Sequence, residues 1–503
     1  MTRPETATDG GRAGPLVLGI DLGTSAVKIV LCAADSSVVA AGSASFPTLC
    51  EEIGQAEQDP ADWLSAVRSA AAEIDRKQAG AGCAWRDRVE AIGLTGQLPT
   101  LVCLGGQGPV GRAITWKDAR ADEPTRALLD AAARRALYEQ TGMPVDGRYL
   151  GPMFRLHWLG RSQEIEAILS AKDYLAFALT GARVTDPSTA AGYGAFDLEK
   201  QEFAPELCDL WGMPRAALPA VRPAHSTAGF LNRFGSALLG VREGIPVSVG
   251  AADSVSSALA MAGPVEGVAC ITMGSSTVII DAVRDRRLDP RSRYLLTPHA
   301  EPGWFGREMD LLASGTGYRW LSGLLGLADG ELDRRAAESE PGARGVLFSP
   351  YLAGGEQGAL WDPALRAGIT GLCLRHTAAD LARAFLEGVG FEIRRCLDVL
   401  AESVAPRSVV IAGHIVEHPS TLRMLADILH RPVRPYASGS PAAVGAAMHA
   451  WRLISAGVRG RPDDPAEGPE IRPGSNADIY NHIYTKYLQQ TRAQGSIDAT
   501  SLV

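Results

Sequence analysis

Two carboxylates and two short turns are the features of this 503-residue chain that could do chemistry. One turn lies in GIDLGTSAVKI at residues 19–29, the other in CITMGSSTVII at residues 270–280. Laid over each other without a gap, the strings share Ile20/Ile271, Gly23/Gly274, Ser25/Ser276, Val27/Val278 and Ile29/Ile280. Each reads as a buried strand, a glycine and small-hydroxyl turn, and a returning strand. Glycine permits the tight backbone, and the turn's N–H groups and hydroxyls can face an anion. One such turn in each half predicts a duplicated scaffold with a nucleotide between its halves. Asp21 sits at the first turn. A carboxylate beside a phosphate is repulsive unless a cation intervenes, so Asp21 points to Mg²⁺, bound directly or through water. The structural alternative is an Asp that satisfies turn amides. Asp253 follows the strand pattern VSVGAAD and precedes SVSSALAMA. That is the carboxyl end of a strand, where open α/β sheets bind ligands. There it could take a proton from a substrate hydroxyl, although the local pattern by itself fits an ordinary helix N-cap better.

The elements that must position these groups alternate between strand and helix. LVLGID opens the fold at Leu16, AVKIVLC returns, and SVVAAGSAS adds a third strand. Residues 60–79 read as a helix with an apolar stripe of Trp63, Val67, Ala70 and Ile74, capped by Asp59 or Asp62. VEAIGLTGQ at 89–97 is a strand, a hairpin follows, and helical patterns dominate from Glu123 to Thr180. The second half restarts at Val247–Asp253 and runs through VACITM and STVIIDA. Helices fit at 315–327, 377–403 and 420–430, with the strand RSVVIAG between the last two. The Ala/Gly-rich segment 440–457 reads as a helix able to pack closely against a neighbour, 459–475 as a polar connector, and 476–495 as a closing amphipathic helix.

Length and composition set the bounds. The chain is too long for one ordinary core, so two large domains are expected. With 46% hydrophobic and 21% charged residues it reads as globular. A net charge of −8 argues against general binding to nucleic acid or anionic membranes. The eight Cys are scattered without a C-x-x-C pair, which favours buried thiols over a disulfide frame or a zinc site. Residues 1–15 lack the apolar stretch of a signal peptide and read as a disordered tail, and no apolar run is long enough to span a bilayer. A cytoplasmic location is the resulting expectation.

Two motifs read as decoys. Gly106-x-Gly108-x-x-Gly111 matches a dinucleotide fingerprint, but no helix opens after it, so a hairpin turn is expected. His414-Ile-Val-Glu417-His418 spells H-x-x-E-H, a metalloprotease pattern that needs both histidines on one helical face. Gly413 precedes it and Pro419 follows, so the segment is expected to be a loop that does not hold zinc.

Taken together, the chain resembles the FGGY family of carbohydrate kinases, with its xylulokinase-like and glycerol-kinase-like members. The resemblance rests on GIDLGTSAVK (19–28), GLTGQ (93–97), WKDAR (116–120), AKDYL (171–175), TDPSTAAG (185–192), GAADS (250–254), TMGSS (272–276), PYLAGGE (350–356), LEGVGFEI (386–393) and GAAMHA (445–450), in that order. It implies an α/β fold of two actin-like (ribonuclease-H-like) ATPase domains with a deep interdomain cleft. The N-terminal domain would span 16–250, the nucleotide-binding C-terminal domain 251–490, and a second tail 491–503. It implies ATP and Mg²⁺ as cofactors, with Asp21 at the metal and Asp253 as catalytic base. Gly23, Thr24, Ser25, Gly274, Ser275 and Ser276 would hold phosphates, and Gly413 and His414 would lie on the adenosine side. Gln97, Leu98, Trp116, Asp118 and Asp253 would line the substrate site. A homodimer is compatible with the resemblance, though nothing in the sequence locates an interface.

Departures from the family pattern sharpen the expectation. A polar, sugar-binding pair after Gly-Gln is replaced by Leu98-Pro99, which offers no side-chain hydrogen bond. The adenosine-side glycines give way to Ala412-Gly413-His414-Ile415-Val416, where His414 could stack on adenine. The resulting expectation is an ATP-dependent kinase for a hydroxyl of a sugar, polyol or sugar-like molecule other than a standard pentulose or glycerol. The alternative is a catalytically impaired relative that binds a small molecule or partner.

Overall fold

Strand β1 (Leu16–Leu22) is buried along its whole length, Asp21 included. A strand buried on both faces needs layers above and below it, and its neighbours follow from that. β1 pairs antiparallel with β2 (Ala26–Cys32), and β2 with β3 (Val38–Ser45). Helix α1 (Pro60–Gln78) covers one face with Trp63, Val67, Ala70 and Ile74, and Asp59 accepts from the Ala61 amide at 2.8 Å at its start. β4 (Val89–Gly96) then lies parallel to β1. After helix α2 (Ala171–Thr180), the sheet is completed by β5 (Thr227–Phe230) and β6 (Pro246–Ser248), in the order β5-β6-β4-β1-β2-β3. The structure, a computed structural model, describes residues 14–78, 85–328, 330–353, 356–362, 364–454 and 468–497.

The second half repeats this plan. Helix α3 (Asp253–Met261) leads into β7 (Val268–Met273) and its antiparallel partner β8 (Thr277–Val283). β9 (Leu295–Pro298) and β10 (Phe305–Leu311) extend the sheet beyond β8. Helices α4 (Ser314–Leu324), α5 (Glu331–Ala337) and α6 (Ala378–Leu400) follow. β11 (Ser408–Gly413) then lies parallel to β7. Helix α7 (Pro419–Leu429) leads to β12 (Val433–Pro435), parallel to β11. The order β9-β10-β8-β7-β11-β12 mirrors the first sheet, with β7, β8 and β11 in the places of β1, β2 and β4. The duplicated turns in the sequence thus sit on duplicated sheets.

Between the two sheets lie α3 and α8 (Pro441–Ile454), followed by the closing helix α9 (Ala477–Ile497). Val255, Ala258, Ala443, Val444 and Ala447 from the helix pair join Val17 and Ala91 of the first sheet and Cys270 and Val410 of the second in one apolar cluster. The fit is backbone-close. A Cβ on Gly19 would stand 2.0 Å from the Ala443 carbonyl oxygen, on Gly93 1.7 Å from that of Ala446, and on Gly445 2.0 Å from that of Ser256. Glycine is required there by proximity, and the alanines of α8 supply the matching flat face. The closing helix reaches Ile497, so the tail expected from 491 begins later; residues 1–13 and part of the 459–475 connector lie outside the described residues. The G-x-G-x-x-G segment is a hairpin turn, with Leu104 paired to Pro109. Among the described cysteines, Cys32, Cys103, Cys208, Cys270 and Cys396 are buried and in no disulfide, while Cys50 and Cys373 are exposed; Cys83 lies outside the described residues. No helix among the described residues is long and apolar enough to cross a membrane.

Because the helix pair is clamped through glycines, Gly93→Ala should lower the thermal midpoint, consistent with the ~1–3 kcal/mol of an overpacked core. A wild-type melting curve for that variant would show that the α8 contact is not tight.

Candidate active site

The two turns meet at one cavity. At the first, Leu22 pairs with Val27, and the Gly23 amide donates to the Ala26 carbonyl at 3.1 Å. At the second, Met273 pairs with Thr277, and the Gly274 amide donates to the Ser276 carbonyl at 2.8 Å. The second hairpin therefore closes one residue sooner, and the gapless overlay does not place equivalent hydroxyls. The residues that face the shared cavity, of about 130 Å³, are Thr24 and Ser276. Ser25 is exposed beside the first turn. The Ser275 carbonyl accepts from the Thr316 amide at 3.0 Å, and a Cβ on Gly315 would stand 2.0 Å from the Gly274 carbonyl oxygen. The first turn of α4 thus presses on the second phosphate-type turn. The string S-G-T-G at 314–317 signals this close approach, and the sequence reading gave it no role.

Asp253 is the first residue of α3 and lines the same cavity. Its place is fixed from behind. The buried Lys172 ammonium donates to Asp173 at 2.8 Å and to the Val249 carbonyl at 2.9 Å, and lies 3.3 Å from Asp186. Asp186 accepts from the Ser188 amide at 2.9 Å, and the Ser188 hydroxyl accepts from the Ala252 amide at 3.0 Å. A buried charge survives only when paired and hydrogen-bonded. The AKD and TDPS strings are the two halves of that pairing, and together they hold the residue before Asp253.

The cavity is crowded with carboxylates. Burial raises Asp253, and the negative charges of Asp21 and Asp310 raise it further, to about 7. Burial likewise lifts Asp310 to about 7, against the pull of Arg148, and pushes Glu308 well up, helped by Asp310. Asp21 is also raised by burial, with Lys28 opposing. The Ser440 hydroxyl donates to Asp21 Oδ2 at 3.4 Å, while its buried Oδ1 has no protein partner. Glu308 Oε2 accepts from the Ser254 hydroxyl at 3.0 Å. Arg148 lines the wall, and with its amide oriented to suit, Gln357 Oε1 accepts from that guanidinium at 2.6 Å. Glu308, Asp310, Arg148 and Gln357 escaped the sequence reading. In FGREMDL, which forms β10, the alternation that puts Met309 in the core turns Glu308 and Asp310 the other way, and that period-2 pattern was the available signal.

Other expected residues fall in different places. Leu98, Pro99 and Trp116 line the cavity, and the Trp116 indole donates to the Thr24 hydroxyl at 3.1 Å. Gln97 and Asp118 are not among its lining residues. Asp118 is buried against the Arg120 guanidinium at 2.7 Å and accepts from the Ala56 amide at 2.9 Å, so its charge is already paired. The Gln97 amide donates to Gln58 at 2.8 Å, and Gln58 in turn donates to the Thr24 carbonyl at 2.8 Å, a layer beneath the first turn. Gly413 ends β11 at a φ of +107°, where a Cβ would stand 2.0 Å from the Met273 carbonyl oxygen. That glycine is required by the neighbouring strand. The segment 414–417 is a short 3₁₀ turn rather than the plain loop expected, and it brings the His414 and His418 Nε2 atoms within 3.0 Å without a shared helical face. The His414 ring packs edge-on against Tyr318.

The raised carboxyl has a stability cost with a definite sign. Asp253 holds its proton longer in the folded protein than in the unfolded chain, so this group weakens folding as pH rises from 3.8 toward about 7. Removing the charge with Asp253→Asn should therefore raise the melting temperature of the ligand-free protein by a few degrees at about pH 8, and the gain should shrink as pH falls toward about 4. A gain that is independent of pH, or a loss at high pH, would contradict the buried like-charge arrangement.

Comparison with known proteins agrees with this architecture. Residues 16–260 match the N-terminal domain of the FGGY family of carbohydrate kinases, and residues 269–453 match its C-terminal domain. The chain is 30% identical over 450 residues to a xylulose kinase of Escherichia coli, covering 87% of this chain and 89% of that one. It is 28% identical over 483 residues to a glycerol kinase of Gloeobacter violaceus, covering 91% and 93%. The crystal structure of a xylulose kinase from Rhodospirillum rubrum superposes with a TM-score of 0.82 at 28% identity, over 96% of this chain and 100% of that one. The doubled sheets, the paired turns and the matched domains lead to one conclusion: the chain belongs to the FGGY family of carbohydrate kinases, phosphotransferases that act on an alcohol group.

Proposed function

We propose that the protein transfers the γ-phosphoryl group of ATP to a hydroxyl of a sugar or polyol bound in the interdomain cavity, with Asp253 as the base. The observation that carries this reading is the placement of Asp253 between the two turns. A carboxyl raised to about 7 shares one cavity with the hydroxyls of Thr24 and Ser276. A base poised near neutral pH is matched to taking a proton from an alcohol as it attacks. The acceptor oxygen forms its bond to phosphorus as the bond to the ADP oxygen breaks, and the proton passes to Asp253. Thr24, held by Trp116, and Ser276, at the turn braced by α4, orient the phosphoryl group.

The acidic surroundings support a divalent cation. Asp21 has a buried oxygen without a protein partner and stands near enough to Asp253 to repel it. Asp21 fits as the residue that holds Mg²⁺, which when bound neutralises phosphate charge.

The acceptor site is polar on one side and apolar on the other. Arg148, Ser188, Glu308, Asp310 and Gln357 offer charges and hydrogen bonds, whereas Leu98, Pro99 and Met143 offer none. The polar wall compensates for the Leu98-Pro99 pair, so a ketose or polyol has partners here. A non-standard acceptor and a catalytically impaired protein, both expected from that pair and the altered glycine loop, gain no support from the comparisons.

Asp253→Asn should bind Mg-ATP with nearly unchanged affinity in calorimetry and transfer phosphate at least about a hundredfold more slowly, the usual worth of a general base. Mass-spectrometric detection of phosphorylated product over a ketose and polyol panel supplies the rate. Near-normal turnover in the variant would remove Asp253 from this role. Phosphate transfer to no member of the panel by the wild type would overturn the acceptor class.

A further inference from the structure

Three side chains from separate parts of the second half converge outside the cavity just described. His414 follows β11, His418 precedes α7, and Asp333 comes from α5. They form a group of metal-ligating type. The His414 and His418 Nε2 atoms are 3.0 Å apart. Asp333 Oδ2 lies 4.0 Å from the first and 3.8 Å from the second. A circle through these three atoms has a radius of about 2.1 Å, the length of a zinc–nitrogen or zinc–carboxylate bond. Drawing the carboxylate oxygen in by about 0.5–0.7 Å and parting the two nitrogens by about 0.3 Å gives the ~3.3 Å edges of a tetrahedral face.

The surroundings resemble those of a ligand set. Asp333 is buried, and it is held by two hydroxyl donors, Tyr318 at 2.6 Å on Oδ2 and Thr421 at 2.6 Å on Oδ1. Carboxylates that bind metals are oriented by such outer hydrogen bonds. Neither hydroxyl brings a positive charge, and among the described residues the ion-pair-type side chains within 4.0 Å of this carboxylate are the two imidazoles. The His414 side chain is half exposed, which leaves a path from solvent and room for a fourth ligand. Two imidazoles and one carboxylate suit zinc among the common divalent ions, whereas magnesium and calcium take all-oxygen sets.

We propose that Asp333, His414 and His418 form a zinc site with three protein ligands and one open position, distinct from the Mg²⁺ expected at Asp21. The site ties α5 and α7 to the segment directly after Gly413. The H-x-x-x-H spacing acts here through a 3₁₀ turn that ends at His418, so the likeness of H-x-x-E-H to peptidases is incidental and Glu417, which is exposed, is not a ligand.

The full-length protein, dialysed against chelator and returned to buffer without it, is titrated with Zn²⁺ in a calorimeter, and with Co²⁺ as a visible-absorption probe. The expected result is one tight site per chain, weakened at least about tenfold in His414→Ala and in His418→Ala. A Co²⁺ absorption band should appear in the wild type and vanish in both variants. Zinc should raise the melting temperature of the wild type and leave His414→Ala unchanged. His414 is half exposed, so its replacement tests ligation without disturbing a packed core. Asp333→Asn, whose amide keeps the size of the side chain, gives a third arm. Absence of saturable one-to-one binding, or equal affinity in the wild type and both histidine variants, would overturn the site.

Discussion

Like-charge crowding in a buried cleft is the constraint on which the rest of the site depends. Asp21, Asp253, Glu308 and Asp310 converge from the ends of β1 and β10 and the start of α3, and burial penalises ionisation at each of them. Such an arrangement weakens the folded state. It persists because the surrounding scaffold over-determines it: Lys172 with its two aspartates on one side, and the glycine-to-alanine packing of α8 on the other. The same burial and like charge hold the Asp253 carboxyl up to about 7, and Asp21 keeps a buried oxygen without a protein partner. On the proposed reading, stability is exchanged for reactivity here, a recurrent feature of functional sites.

The duplicated architecture explains how two turns far apart in sequence come to face one small volume. Each turn is the bend of a hairpin at the centre of its own sheet, and both sheets pack on the same helix pair. With α3 and α8 between them, the geometry of the cleft follows from how closely each sheet approaches that pair. Gly19 and Gly93 set the approach of the first sheet to α8, and Gly445 sets that of α8 to α3. The repeat is not perfect. The second hairpin is tighter by a residue, and a helix start, at Ser314–Gly317, presses on its bend backbone to backbone, whereas the start of α8 reaches the first hairpin through the Ser440 hydroxyl on Asp21.

Much of the architecture was legible in the sequence because it follows from period and punctuation. The paired turns, the stripe of α1, the Ala-rich α8 and the placement of Asp253 at a strand-to-helix junction all carry local signals. What escaped depends on distant partners. Asp118 looks like a substrate ligand in its string, yet Arg120 and the Ala56 amide already occupy it. Gln97 turns toward Gln58 for the same reason. β10 was missed because its acids interrupt the hydrophobic run, although those acids are what bring it into the cavity. Helical spacing would put His414 and His418 on one face, but a single 3₁₀ turn ending at His418 also brings their rings together.

The central claim is that Asp253 carries a proton affinity far above that of an ordinary carboxylate because it is buried and because other acids, Asp21 first, surround it. Carboxyl ¹³C NMR titration of the ligand-free protein, with the Asp253 resonance assigned by its loss in Asp253→Asn, measures this directly. The account predicts an apparent midpoint near 7 that moves downward in Asp21→Asn, since removing the strongest negative neighbour eases ionisation. A midpoint in the usual range near 3.8, or one unmoved by loss of the Asp21 charge, would contradict it.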